Sequence, residues 1–251
     1  MSENDNLFCQ NSMTSDLQLD IDFLDPTEDQ EFEVRALLAS LLATTPYADT
    51  AVELAKLICQ QPEVGTVMLA AEGGDILGFM SCLSFTQHID RPSVVRLLDL
   101  VLDALSTQEE HSSAIRKLFD MLEAGTATVG LLITGRYANL PGDAAAALHR
   151  VLSDDLRWIS SDAYDSSTPA RFFTFTHIIC LSKGVFAAPK DPRAPEAKDI
   201  TRFLNIEDGE LISHALHSAV YPADLGQYNC WVVALFDVAS FERAVNALEA
   251  P

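Results

Sequence analysis

Two segments in the C-terminal half of the chain are apolar on both of their faces, Phe172–Leu181 and Cys230–Phe236. A strand of this kind must be covered by protein on each side, which places it in the centre of a sheet. Segments with the helical period of apolar residues alternate with these strands along the chain. Because one sheet with helices on both faces buries all of these apolar surfaces, the pattern predicts an α/β (α+β) fold built on a mixed β-sheet.

Local signals supply the remaining elements. The segment Thr27–Gln30 has the pattern of a capping box ahead of a helix, and Gly73-Gly74 is typical of the turn of a hairpin. Two further amphipathic helices are expected before the fourth strand, Val129–Thr134. Glu207–Ser218 is ambiguous between helix and strand, with helix favoured. The predicted order is β-αα-ββ-αα-β-α-β-loop-α-β-α.

The chain is strongly acidic, with 37 Asp and Glu residues, 16 Lys and Arg residues, and a formal net charge of −21. A surface that binds nucleic-acid phosphates needs basic clusters, which are nearly absent, so no direct binding of nucleic acid is predicted. No apolar run reaches the length that spans a bilayer, so no membrane insertion is predicted. The five scattered cysteines are typical of free thiols in a reducing compartment.

The acids are concentrated near the N-terminus, where ten of them and no Lys or Arg precede Arg35. Residues 1–18 lack periodicity and are predicted to form a disordered acidic tail, and residues 19–251 are predicted to form a single domain. The acids either serve solubility alone or form a surface that attracts a basic partner. Under the second interpretation, the candidate surface for a basic client consists of Asp20, Asp22, Asp25, Glu28, Asp29, Glu31 and Glu33.

No set of residues in the sequence indicates a catalytic or metal site. The chain has no GxSxG, GxxxxGK[ST], GxGxxG or HExxH motif. His214 and His217 have a spacing that can serve two metal ligands on a helix, but no third ligand lies nearby in the sequence. No metal site and no catalytic residue are therefore predicted.

The segment from Val129 to Leu148 predicts a strand, a tight turn and a helix, which is the arrangement that binds phosphates at a helix N-terminus. It resembles the cofactor turn of the GNAT acetyltransferases, in which an Arg/Gln-x-x-Gly-x-Gly/Ala pattern binds the pyrophosphate of coenzyme A. Arg136 matches the first position, but Asn139 and Pro141 stand where small residues are expected. Since proline has no N–H to donate, we interpret this turn as degenerate and expect no cofactor.

Several segments in order resemble the eukaryotic BCCIP/BCP family, and together they cover most of residues 19–249. The matching segments are DFLDPTEDQEFEVRALLASLL (Asp22–Leu42), VGTVMLA (Val64–Ala70), ILGFMSCLSF (Ile76–Phe85), VGLLITGRYANLP (Val129–Pro141), RFFTFTHIICLSK (Arg171–Lys183) and Trp231–Leu248.

This resemblance implies a GNAT-like fold without acetyltransferase activity, with two extra helices before the fourth strand. It also implies a protein of the nucleus and cytoplasm that chaperones a basic large-subunit ribosomal protein and supports ribosome biogenesis and nuclear export. Nuclear-transport, cell-cycle or DNA-repair proteins are further partners that it implies. Two alternatives stay open: an acyl-CoA-dependent N-acetyltransferase, and an adaptor whose helix pair at residues 91–123 binds a regulator.

Overall fold

The computed structural model describes residues 20–71, 74–106, 117–118, 120–122, 124–186 and 196–248. Residues 1–18, predicted to be a disordered tail, lie outside these ranges. The described strands are β1 (Ile21–Leu24), β2 (Gly65–Ala70), β3 (Ile76–Ser84), β4 (Val129–Arg136), β5 (His177–Phe186), β6 (Ile200–Phe203), β7 (His217–Leu225) and β8 (Tyr228–Asp237). The helices with described bounds are α1 (Glu31–Leu42), α2 (Ala51–Cys59), α3 (Phe85–His88), α4 (Pro92–Ser106), α5 (Gly142–Ile159), α6 (Asp208–Ser213) and α7 (Val238–Leu248).

All of these strands belong to one sheet. Its order is β1-β2-β3-β4-β5-β8-β7, and β6 pairs with β5 outside this path. The pair β4 and β5 is parallel, and the other pairs are antiparallel. The mixed sheet predicted from the sequence is therefore confirmed.

The strands β4 and β5 separate partway along their length. Their pairing ends at Leu132 and Cys180, although each strand continues for several residues beyond this point. Farther along β5, Gly184 pairs with β8 on one side and with β6 on the other. Hence β6 lies beside β5 on the side that β4 has left. Separation of these two strands toward Arg136 agrees with the GNAT-like geometry that the resemblance implies.

Helices cover both faces of the sheet, as predicted. Residues of α1, α2 and α4 form a core with one face, and residues of α5 and α7 form a core with the other. Along β5, Ile179 and Leu181 belong to the first core, whereas Ile178 and Cys180 belong to the second. This alternation explains why β5 is apolar on both faces.

The strand predicted at Phe172–Leu181 begins later, at His177. Residues Ala170–Phe172 form a 3₁₀ turn, and the N–H groups of Phe173 and Thr174 bond back to the carbonyl of Ala170. Phe173 and Phe175 are buried although they lie outside the strand. Apolar residues that are buried in a turn therefore account for the first half of the predicted strand.

The prediction of a helix at Glu207–Ser218 is correct only for its first half. α6 ends at Ser213, and the chain then enters β7 at His217. β6 was not predicted from the sequence. β6 owes its conformation to pairing with β5, and β7 owes its conformation to pairing with β8, which follows it after the two-residue turn Gly226-Gln227. Neither strand has a strong local pattern of its own.

The capping box ahead of α1 is present. Thr27 donates its backbone N–H to the side-chain oxygen of Gln30 (2.8 Å), and the side chain of Thr27 accepts from the backbone N–H of Gln30. The first of the two helices expected before the fourth strand is α4. The second is described only at residues 117–118 and 120–122, which are helical, and its other residues lie outside the described ranges.

A close contact between α1 and β4 occurs at Gly135. A Cβ atom there would lie 2.6 Å from the ring of Phe79 and 3.1 Å from the backbone carbon of Leu37. We expect Gly135→Ala to lower the free energy of unfolding by about 1–3 kcal/mol, because an added methyl forces α1 away from the sheet. Chemical denaturation checks this. The matched control is Gly142→Ala, where a Cβ atom meets nothing within 4 Å; equal losses for the two variants would contradict this packing.

Candidate functional site

The turn after β4 leads directly into α5. Tyr137 donates its N–H to a carbonyl of β3 (3.1 Å), which holds the start of the turn against the sheet. Pro141 immediately precedes α5, and its carbonyl oxygen accepts from the N–H groups of Ala144 (3.1 Å) and Ala145 (3.3 Å). Asn139 is exposed between strand and helix. Asn139 and Pro141 thus lie where an anion would approach the helix N-terminus.

A carboxylate occupies the first turn of α5. Asp143 is exposed, and its Oδ1 accepts from the N–H of Ala144 (3.0 Å). A helix N-terminus attracts anions through its free N–H groups and its dipole. Because Asp143 already supplies negative charge there, it opposes the approach of a phosphate group.

Arg136, at the end of β4, forms a buried ion pair with Glu207. The Nε atom lies 3.1 Å from Glu207 Oε1, and Nη2 lies 2.6 Å from Oε2. The two side chains are 4% and 9% exposed. Two parallel hydrogen bonds of this kind are among the stronger pairings of a guanidinium group. The ion pair joins the end of β4 to the segment between β6 and α6.

Asp208, the next residue along the chain, belongs to a second buried polar cluster. It is 2% exposed, and its carboxylate accepts hydrogen bonds from the hydroxyl of Ser182 on β5 and from the amide of Asn205 (3.2 Å). Burial raises the pKa of Asp208 to about 7, although the hydrogen bond from Ser182 opposes the change. His149 is also buried, and its burial lowers the pKa of the imidazole, because the charged form is the one that loses water. Its Nδ1 lies 3.0 Å from the carbonyl oxygen of Ala145.

Arg136 was identified from the sequence, but its partner Glu207 and the cluster around Asp208 were not. Glu207 lies 71 positions from Arg136, so no spacing in the sequence connects them. The one available signal was the acidic pair Glu207-Asp208 at the start of an apolar helix. Such a pair is also typical of an exposed first helical turn, and therefore it did not predict burial.

The acidic segment begins with β1 at the edge of the sheet and continues through the turn into α1. Six of its seven acids are exposed and Glu31 is partly buried; the exposed ones are Asp20, Asp22, Asp25, Glu28, Asp29 and Glu33. Glu28 accepts a hydrogen bond from the side chain of Gln60 (3.0 Å). Burial, and then the charges of Glu31, Glu33 and Glu28, raise the pKa of Cys59 to about 11. The segment therefore acts as a source of negative potential at this edge.

The two histidines with metal-ligand spacing do not share a helix. His214 follows the last residue of α6, whereas His217 begins β7. His214 Nε2 lies 3.3 Å from Glu210 Oε1. Across the described ranges, no three His, Cys, Asp or Glu side chains are grouped so that they could hold a metal ion. The same part of the chain contains no helix that is long and apolar enough to cross a membrane.

The open mixed sheet, with helices on both faces and a parallel pair of strands that separates toward a turn, is a GNAT-like fold. A family model for BCCIP matches residues 16–208. The chain belongs to the BCCIP family, as its sequence resemblance predicted, and is a BCCIP-type binding protein.

Three known proteins illustrate the similarity. The chain is 25% identical over 189 residues to protein BCP1 of Debaryomyces hansenii, and this match covers 72% of this chain and 60% of that protein. It is 26% identical over 189 residues to the BRCA2 and CDKN1A-interacting protein of Bos taurus, and this match covers 70% of this chain and 59% of that protein. The matches thus span about 60% of the length of these two relatives. The crystal structure of BCP1 from Saccharomyces cerevisiae has the same fold, with a TM-score of 0.67 at 17% identity, and the match covers 98% of this chain and 94% of that chain.

The ion pair between Arg136 and Glu207 provides a test of this arrangement. We expect Glu207→Ala to lower the free energy of unfolding by about 3–5 kcal/mol, because it leaves the Arg136 charge buried without a partner. Asp154→Ala is the control. The side chains of Arg157 and Asp154 are 51% and 63% exposed, so their ion pair should contribute at most about 1 kcal/mol. Urea denaturation of the two variants measures the difference, and a loss below about 1 kcal/mol for Glu207→Ala would contradict a buried pair.

Proposed function

We propose that this chain is a non-enzymatic chaperone of a basic large-subunit ribosomal protein, and that it supports ribosome biogenesis and nuclear export. The observation that carries this proposal is the exposed acidic segment, in which no Lys or Arg precedes Arg35. A newly made ribosomal protein carries a positive surface that binds RNA indiscriminately. A negative surface that covers it would prevent such contacts until assembly.

The acidic segment acts mainly at a distance. Each exposed pair of charges contributes only about 0–1 kcal/mol, so single contacts do not account for tight binding. A cluster of like charges facing a basic partner raises the rate of association by roughly 10–10³. The proposed chaperone therefore captures its client quickly, and other contacts must provide the lifetime of the complex.

We infer that the GNAT-like fold has no acetyltransferase activity in this chain. Three features near the turn support this inference. β6 lies beside β5 where β4 has moved away, Arg136 is held by Glu207, and Asp143 places a carboxylate at the N-terminus of α5. β6 takes up the edge of β5, and the other two features reduce the positive charge that the phosphates of an acyl-CoA cofactor need. The N-acetyltransferase stays the principal alternative.

An adaptor function is a second candidate. The relative from Bos taurus is named for its interaction with BRCA2 and CDKN1A, a repair protein and a cell-cycle regulator. In this chain the helix pair at residues 91–123 is the candidate contact; α4 is its first helix, and residues 117–118 and 120–122 are the described part of its second. Nucleus and cytoplasm together are the proposed location, because ribosomal proteins enter the nucleus for assembly and subunits leave it.

The client surface can be tested by neutralising its seven acids to Asn or Gln: Asp20, Asp22, Asp25, Glu28, Asp29, Glu31 and Glu33. We expect this variant to associate about tenfold or more slowly with at least one purified basic large-subunit ribosomal protein, because long-range attraction is lost. The difference should shrink at high salt, since the Debye length falls from about 10 Å at 0.1 M to about 3 Å at 1 M. Surface plasmon resonance measures both rates.

The matched control neutralises seven exposed acids elsewhere, so that the net charge changes equally. These are Asp90, Asp99, Asp103, Asp162, Asp165, Glu210 and Asp224. Equal slowing in both variants would mean that net charge alone attracts the client. Unchanged association in the first variant would assign the acidic segment to solubility.

The enzymatic alternative makes a different prediction. We expect isothermal titration calorimetry with millimolar acetyl-CoA to give no heat beyond dilution, because Asp143 places a carboxylate at the N-terminus of α5 and Glu207 pairs with the charge of Arg136. The heat of acetyl-CoA binding is also measured for Glu207→Ala, because this variant removes the carboxylate that pairs with Arg136 at the same turn. Micromolar binding by the unchanged chain would overturn the non-enzymatic proposal in favour of a transferase.

A further inference from the structure

The helix α1 is apolar on its outer face as well as on its buried face. Val34, Leu38 and Leu41 pack into the core. On the opposite side, Phe32 is 67% exposed, and the exposed Ala39 continues the apolar surface along the helix. A helix at the protein surface normally presents polar residues to water. An outer face of this kind is typical of a helix that is covered in a complex.

This outer face forms one wall of a groove between α1 and the start of α2. The groove has a volume of about 410 Å³. Phe32 of α1 and Val52 of α2, which is 52% exposed, both line it. Ala36, Ala39 and Ala48 also line the groove. Short side chains leave this groove open to an apolar side chain from outside.

The charges beside the groove select the kind of partner. Glu28, Asp29, Glu31 and Glu33 lie in the turn before α1 and in its first turn. Arg35, a cation that lines the groove, lies over the ring of Phe32 at 5.1 Å. The first 19 residues of the chain contain acids and no Lys or Arg, so their charge does not match this surface. A basic partner does match it.

We propose that the groove between α1 and α2 binds the apolar face of a basic amphipathic helix from a partner protein. Leucine-sized side chains of that helix fill the groove between Phe32 and Val52, and its Lys and Arg residues face Glu28, Asp29 and Glu33. This is the helix-in-groove mode of recognition. The inference deepens the proposed chaperone function and rests on it for the identity of the partner. It supplies the short-range contacts that the acidic segment lacks.

A synthetic peptide can probe the groove without a known client. The probe is a fluorescent helix of about 18 residues, or five turns, with leucines spaced three and four apart and lysines elsewhere. A second peptide carries serines in place of the leucines and has the same charge. Fluorescence anisotropy measures the affinity of each peptide. The measurement is made at about 0.15 M salt, because salt weakens non-specific attraction to the acidic chain.

Two variants close the groove or remove its apolar wall, and one serves as a control. Ala39→Trp fills the groove from an exposed position, and Val52→Ser removes an exposed apolar side chain, so both should fold. Ala163→Trp makes the same change at an exposed position outside the groove lining. We expect the leucine peptide to bind Ala39→Trp at least about tenfold more weakly than the unchanged chain, and Ala163→Trp equally well.

Equal affinity for the leucine and serine peptides, or for Ala39→Trp and the unchanged chain, would overturn the proposal. So would a dimer that dissociates in Ala39→Trp by sedimentation velocity, because the groove would then bind a second copy. Ribosomal proteins measured in parallel separate the two proposals. A ribosomal protein that binds Ala39→Trp as tightly as the unchanged chain would contradict the groove proposal and leave the chaperone proposal supported. If Ala39→Trp weakens peptide binding but no ribosomal protein binds the unchanged chain, the groove proposal is supported and the chaperone proposal is contradicted.

Discussion

The separation of β4 from β5 after Leu132 is the constraint on which the rest of this structure depends. Beyond that residue the two strands no longer bond to each other, so the facing backbone groups of each need other partners. Here β6 takes the position beside β5, and Arg136 pairs with Glu207. The space that a GNAT-like fold can offer to a cofactor is thus lined by the chain's own strand and ion pair.

Filling the gap with polar groups has a cost. Arg136 and Glu207 lose water when they are buried, and only good geometry compensates for that loss. Their two short hydrogen bonds meet this condition. Asp208, which is held by Ser182 and Asn205, extends the polar contacts to β5. These contacts fix the segment after β6 against the sheet, so the position of β6 and the buried polar cluster depend on each other.

The proposed binding surface lies elsewhere, along β1 and α1. Its two parts act over different distances. The acids attract a basic partner through solvent over roughly a Debye length, which salt shortens. The groove beside Phe32 and Val52 acts only on contact, because burial of apolar area requires the exclusion of water. A partner held by both would be captured quickly and released slowly, which suits an escort that must protect its client.

The sequence by itself determined the mixed sheet, the two covered faces, the capping box at Thr27 and the acidic segment. These depend on local periodicity, local capping and composition, which each stretch of chain carries alone. Only the tertiary structure decided β6 and the partner of Arg136. β7 was missed although it pairs with the next strand along the chain. β6 becomes a strand because β5 pairs with it, and Glu207 meets Arg136 because the segment after β6 lies against the end of β4. The apolar residues of the turn before β5 show the same limit, since burial alone does not distinguish a turn from a strand. Pairings between distant segments have no local signature, and so they can be read only from the folded chain.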